Sequence, residues 1–123
     1  MSWVLNQVAL IGTAPTAGVT AWYREVFGFV DAGTASFAGP DIAAVQGLDV
    51  PDVDLEIGWL LDRQPFFQLE FFHYNVPASR PPPAPRTPCD LGYALVSLHV
   101  TDFSGVLARL AAHGTPLLTA PLG

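Results

Sequence analysis

The sequence contains no lysine, and its only basic side chains are scattered arginines: Arg24, Arg63, Arg80, Arg86 and Arg109. Eleven acidic residues leave a net charge of −6. Nucleic-acid binding needs a basic face that displaces counterions from phosphates, and anionic membranes attract the same kind of surface. We therefore expect neither nucleic acid nor membrane as a partner, and we expect a small-molecule ligand or another protein chain instead.

Cysteine is almost absent as well, since Cys89 is the only one. An intrachain disulfide is therefore impossible, which excludes a small disulfide-stapled secreted scaffold. No stretch reaches the roughly 20 apolar residues that span a bilayer, and the N-terminus lacks the basic start and apolar run of a signal peptide. These features lead us to expect a cytoplasmic protein.

The composition favours a packed domain. Hydrophobic residues make up 50% of the 123 residues and charged residues only 13%, the reverse of a disordered chain. A chain of this length forms one domain, and it buries roughly two-thirds of the surface that it exposes when unfolded.

Hydrophobic periodicity and turn residues predict a strand, a helix and three further strands before a proline-rich segment. We expect Thr16 to cap the helix and Gly28 to end it. In chain order the predicted elements are a strand at 3–11, a helix at 17–27, a strand at 29–35, a loop at 38–51, and strands at 54–61 and 66–74 joined by a turn at 62–65.

Six prolines between positions 77 and 88 indicate an extended connector, because proline cannot donate a hydrogen bond to a sheet. The element order then begins to repeat. We predict a strand at 93–100, an N-cap at Asp102, a helix at 103–113 ended by Gly114, and a short strand at 116–118. The domain thus divides into a first module (1–76), a linker (77–92) and an incomplete second module (93–123).

Several segments occur in an order and spacing that resemble the vicinal-oxygen-chelate superfamily, which includes glyoxalases, bleomycin-resistance proteins and extradiol dioxygenases. The resemblance covers nearly the whole chain. Its segments are Gln-Val-Ala-Leu (7–10), Trp-Tyr-Arg-Glu-Val-Phe-Gly-Phe (22–29), Phe-Gln-Leu-Glu-Phe-Phe (67–72), Leu-His-Val-Thr-Asp-Phe (98–103) and Ala-Arg-Leu-Ala-Ala-His-Gly (108–114).

The resemblance implies an α+β fold of paired βαβββ modules of the glyoxalase-like type, with the second module truncated. In such proteins the two curved sheets enclose a cleft. The family's enzymes hold a divalent metal there, which binds two neighbouring substrate oxygens and supports isomerases, epimerases, lyases and ring-cleaving dioxygenases alike. The resemblance therefore favours an enzyme without choosing its reaction.

Carried over residue by residue, the resemblance places Gln7 and Glu70 at metal-ligand positions, with Glu70 also a candidate general base. Gln7 can equally be a hydrogen-bonded residue in the cleft wall. In the second module Leu95 stands where a histidine is usual, and a fourth ligand would lie beyond Gly123. Two oxygen ligands would hold a metal weakly unless another chain or the substrate adds more.

Strand alternation places Phe66, Gln68, Glu70 and Phe72 on one face, and we expect these residues, with Trp59 and His99, to contact substrate. A histidine of the core or the rim is the other interpretation of His99.

Two functional alternatives stay open beside the metal enzyme. One is a metal-free drug-binding protein, whose aromatic cleft would be lined by Phe66, Phe72, Trp59 and also Trp22. The other is a non-catalytic half of a longer tandem enzyme. A truncated second module would leave an open sheet edge, which invites pairing with another chain. The chain is then a fragment of a longer protein, a naturally shortened member of the superfamily, or a protomer that is completed in a homodimer or by another chain.

Overall fold

The structure is a computed structural model that describes residues 5–65, 67–81, 87 and 95–121. Four strands and three helices occur in these ranges. They are β1 (Gln7–Gly12), α1 (Thr16–Phe27), β2 (Val30–Ala38), α2 (Pro40–Gln46), β3 (Asp54–Leu61), β4 (Gln68–Val76) and α3 (Phe103–Ala112).

The four strands form one sheet in the order β1-β4-β3-β2. The chain crosses through α1 from β1 to the far edge of the sheet. It then returns by two antiparallel steps, so that β4 pairs in parallel with β1. This is the βαβββ arrangement, and the predicted α+β fold class is confirmed.

Helix α1 packs on one face of the sheet, hereafter the helix face. Its apolar side meets a cluster around Leu60 and Leu69, whose side chains are 0% and 1% exposed. Close approach is possible because Gly58 has no side chain: a Cβ there would lie 3.0 Å from Thr20 Cγ2 and 3.1 Å from Thr16 Cβ. The prediction that Gly28 ends the helix is confirmed, with a φ of 76° and its N–H donating to Arg24 O.

The predicted role of Thr16 as the cap of α1 is wrong. Pro15 holds the N-cap position, and Thr16 is the first helical residue. Its side chain is buried against Gly58, so its hydroxyl does not reach a free N–H at the helix start, and Thr16 Oγ1 has no hydrogen-bond partner within the described residues.

The predicted loop at 38–51 is also wrong in part, because it contains α2. Pro40 suits the first turn of a helix, where a backbone N–H has no intrahelical partner. Gly39 and Gly47 flank the helix with φ values of 95° and 65°, which glycine adopts without strain. The residues that suggested a loop are therefore the boundaries of a short helix, and Ala43 of α2 packs on the side of the sheet opposite to α1.

The second half of the chain departs further from the prediction. Asp102 caps α3 as predicted, with its side chain accepting a hydrogen bond from Gly105 N at 2.9 Å. Residues 95–100 and 116–118, however, form no strand, because nothing in the described part of the chain pairs with them. Positions 93 and 94 of the predicted strand lie outside the described residues. Helix α3 packs against α1, where Arg109 Nε donates to Val26 O at 2.7 Å.

Among the residues that the structure describes, no helix is long and apolar enough to cross a membrane.

Candidate ligand-binding site

The polar residues singled out in the sequence come together on the face of the sheet opposite to α1, hereafter the Glu70 face. Cross-strand partners project from the same side of a sheet. Glu70 in β4 lies opposite Ala9 of β1 and opposite Trp59 of β3, and Gln7 lies opposite Gln68. Two neighbouring strand pairs therefore bring these five side chains into one patch.

A hydrogen-bond network centres on the Glu70 carboxylate. Gln7 Nε2 donates to Glu70 Oε2 at 2.8 Å, and Trp59 Nε1 donates to Glu70 Oε1. Gln68 Nε2 in turn donates to Gln7 Oε1 at 2.8 Å. The network thus runs from Gln68 through Gln7 to the carboxylate, with the indole N–H closing it from the other side.

Glu70 is buried, with 8% of its surface exposed, yet both of its partners are neutral. No arginine or histidine of the described residues forms an ion pair with it. Hydrogen bonds to a charged group contribute about 1.5–3 kcal/mol each, which offsets part of the cost of taking a carboxylate out of water. Within the described residues, Glu70 is therefore held by hydrogen bonds alone and not by an ion pair.

Aromatic rings continue this face along β4. Phe72 stacks on Tyr74, with ring centroids 6.1 Å apart and planes at 19°. Tyr74 donates its hydroxyl to Gln46 Oε1 of α2 at 3.0 Å, and burial raises the pKa of Tyr74. Helix α2 therefore covers one end of the Glu70 face, while the end near Gln7 stays open, because Gln7 and Ala9 are both exposed.

The structure brings Gln7, Gln68, Glu70, Trp59 and Phe72 to the same face, and for Gln68, Glu70 and Phe72 this agrees with the alternation argued from the sequence.

Of the other predicted contact residues, His99 and Trp22 lie away from this face. Phe66 lies outside the described residues. His99 lines a separate cavity with Phe67 and Leu69, and Leu69 projects to the helix face. Trp22, on α1, donates to Thr115 Oγ1 at 3.2 Å, also on the helix side. Neither His99 nor Trp22 therefore shares a surface with Glu70.

The donor set does not fit a resident divalent metal within the described part of the chain. That part contains no cluster of three or more His, Cys, Asp or Glu side chains. The carboxylate of Glu70 already accepts from Trp59 and Gln7, and Gln7 Oε1 accepts from Gln68. An indole N–H can only donate, so Trp59 contributes no ligand.

Sequence reasoning missed two contributors to this face. Tyr74 could have been found by continuing the alternation two residues beyond Phe72. Ile57, which lies opposite Phe72, required the register of β3 against β4, and a single sequence does not contain that information. The same register is what places the Trp59 indole against Glu70.

No protein-family model matches this sequence, and no curated protein matches it either. Among solved structures, the chain is similar to the crystal structure of a glyoxalase family protein from Bacillus cereus. The two chains are 19% identical, the TM-score is 0.75, and the match covers 89% of this chain and 71% of that one. At this identity the likeness shows the fold alone. The fold of this chain is glyoxalase-like, as the resemblance in its sequence implied.

Proposed function

We propose that this chain is a metal-free binding protein for a small organic cation, which it takes up on the Glu70 face. The observation that carries the proposal is a buried carboxylate held only by neutral donors and set among aromatic side chains. The alternative drawn from the sequence, a drug-binding protein of the bleomycin-resistance type, is the function that this chemistry supports best.

The carboxylate has room for a further donor. Its two oxygens offer about four lone-pair sites, and Gln7 and Trp59 use two of them. Ala9, directly opposite Glu70 on β1, carries only a methyl group and is exposed, which leaves this side open to a ligand. An ammonium or guanidinium N–H would add a charge-assisted hydrogen bond and neutralise the buried charge.

The rings supply the second part of the recognition. Trp59 and Phe72 flank the carboxylate along β3 and β4, and a cation over an aromatic face gains about 0.5–2 kcal/mol, the larger value applying when it is desolvated. A ligand that combines a cationic group with an apolar or aromatic body matches both features.

We further propose that a second copy of this chain forms the remaining wall. Within the described residues β1 pairs only with β4, so its outer edge is open. Ile11 on this strand is 67% exposed and Leu5 before it is 70% exposed, and an open edge flanked by exposed apolar residues favours pairing with another chain. Gel filtration with light scattering should return a dimer mass at micromolar concentration, and a monomer mass would contradict it.

A metal-dependent enzyme acting on an oxygenated substrate stays a prediction from the resemblance. Next to the Glu70 carboxylate the described residues supply only the amide oxygens of Gln7 and Gln68, so such an enzyme would need further ligands from a second chain or from the substrate.

The binding proposal is tested by titrating the protein with aromatic ammonium and guanidinium compounds, each paired with a neutral compound of the same shape. Tryptophan fluorescence and calorimetry report binding. We expect saturable binding of cations, insensitive to chelator, and a Kd at least tenfold weaker in Glu70→Gln, since one charge-assisted hydrogen bond corresponds to about a tenfold change or more.

Glu56→Gln is the matched control for that titration. Glu56 lies in the same sheet, but it is the cross-strand neighbour of His73 and projects from the helix face. Its replacement by glutamine therefore removes the same side-chain charge without touching the site. Equal affinity for the cation and its neutral counterpart, or equal losses in the two variants, would refute the proposal.

A further inference from the structure

We infer that Trp59 is the residue that closes the Glu70 carboxylate to metal ions and reserves it for N–H donors. The inference rests on the proposed use of the Glu70 face as a metal-free ligand site. It concerns selectivity rather than binding: the indole N–H occupies a lone pair of Glu70 Oε1 that a divalent cation would need in order to bind both carboxylate oxygens, whereas the N–H of a ligand needs only one of the lone pairs that stay open.

The geometry of β3 and β4 sets this contact. Trp59 and Glu70 are direct cross-strand partners, and the indole packs against the cluster of buried residues that includes Leu55 and Ile57. The ring is therefore held in place, and its Nε1 hydrogen points at Glu70 Oε1. This hydrogen occupies one lone pair of Oε1, so a metal ion that binds both carboxylate oxygens would have to displace it.

The second carboxylate oxygen, Glu70 Oε2, also accepts a hydrogen bond from a neutral side chain. Gln7 turns its amino group toward Glu70 Oε2, and Gln68 fixes that orientation by donating to Gln7 Oε1. A flipped Gln7 amide, which would offer its oxygen to a metal, would place two donors together at Gln68 and two acceptors together at Glu70. The flipped state is disfavoured at Glu70, where two acceptors meet, and at Gln68 as long as the Gln68 amide keeps its orientation.

Of the two donors, only the indole lacks any alternative role as a ligand. An amide side chain can turn to offer oxygen, whereas an indole N–H donates in every rotamer. Replacing Trp59 with a residue that has no N–H should therefore make Glu70 more accessible to metal ions. We expect this effect to be larger than that of replacing any other neutral side chain on this face.

The test uses Mn²⁺ alone, because it prefers oxygen ligands and is paramagnetic. Free and bound Mn²⁺ are measured by electron paramagnetic resonance in the wild type, Trp59→Phe, Trp59→Phe/Glu70→Gln and Trp22→Phe. Trp22→Phe is the matched control, since the Trp22 indole also donates a hydrogen bond, but to Thr115 and on the helix side. Circular dichroism confirms that each variant is folded.

We expect Trp59→Phe to bind Mn²⁺ at least tenfold more tightly than the wild type, and the double variant to lose that gain. Trp22→Phe should match the wild type. A wild-type affinity equal to that of Trp59→Phe would overturn the inference, and so would a gain that persists without Glu70.

A second measurement needs only the wild type and serves if Trp59→Phe fails to fold. In a ¹H–¹⁵N spectrum, Mn²⁺ broadens signals near its binding site. The Trp59 indole signal should broaden no more than that of Trp22, and selective broadening of Trp59 would overturn the inference. Neither of these measurements uses an organic cation. If the chain does not bind organic cations, the cation titration shows it; if Trp59 does not exclude metal ions, the Mn²⁺ measurements show it.

Discussion

Helices α1 and α3 hold corresponding places in the two modules predicted from the sequence, yet they are packed very differently. Helix α1 lies on a sheet, and Val26 on its inner side is 0% exposed. Helix α3 buries Val106 but leaves Phe103, in its first turn, 51% exposed, and the element that it contacts is α1.

The difference lies in what the sheet provides rather than in the helices. Both helices carry an apolar side, but that side is buried only where strands supply a flat apolar surface opposite it. Opposite α1, Leu60, Leu69 and Phe71 supply that surface. Opposite α3 the described residues supply Leu98 and Leu117, which are 37% and 50% exposed.

The largest expected change in the free energy of unfolding comes from truncating one leucine under α1 and one leucine in α3, and this pair of variants tests the comparison directly. Leu69→Ala removes a side chain that is 1% exposed, and such changes cost about 2–5 kcal/mol. Leu110→Ala removes a half-buried leucine from α3, so we expect less than half of that loss. Urea unfolding followed by circular dichroism measures both variants. Equal losses would mean that α3 is packed as deeply as α1.

The same contrast explains how far the sequence could predict the fold. The first module was predictable because each element carries its own signal: alternation in β3 and β4, helical spacing in α1, and Gly28 at the end of the helix. The strand expected at 93–100 carries a similar apolar signal, but a strand exists only with a partner, and partners are not encoded locally.

The site was predictable to the same extent. The resemblance pointed to Gln7 and Glu70, and alternation along β4 added Gln68 and Phe72. The contact that decides the chemistry, Trp59 to Glu70, depends on the register between β3 and β4. A shift of one residue would turn the indole to the helix face, and a single sequence does not determine that register.

A smaller loss of stability is expected when the glycine of β3 that contacts α1 is replaced, and this change tests how closely α1 must approach the sheet. Gly58→Ala places a methyl group 3.0–3.1 Å from Thr20 and Thr16, so α1 must move away from β3. Overpacking of this kind costs about 1–3 kcal/mol.

Gly18→Ala is the matched control for that change. Gly18 is exposed within α1, and nothing lies within 4 Å of a Cβ built there. Gly18 lies in the first turn of α1, where alanine should stabilise the protein by at most the about 0.5–1 kcal/mol that it gains over glycine in a helix interior. Thermal unfolding of the two variants should give shifts of opposite sign, and a loss in both would show that helix backbone, not contact with Gly58, controls the packing of α1.

The smallest effect concerns Tyr23, which binds α1 to the sheet through aromatic contacts that include Phe71 at a centroid distance of 5.0 Å. Burial raises the pKa of Tyr23 above its usual value of 10.0. Above pH 10 the unfolded chain therefore releases this proton more readily than the folded chain, and stability falls as pH rises further. Tyr23→Phe should show a shallower loss between pH 9 and about pH 11 in urea unfolding, because phenylalanine does not titrate. Tyr74→Phe is the comparison on the Glu70 face, and an unchanged slope in Tyr23→Phe would show that this ring does not couple alkaline pH to the packing of α1.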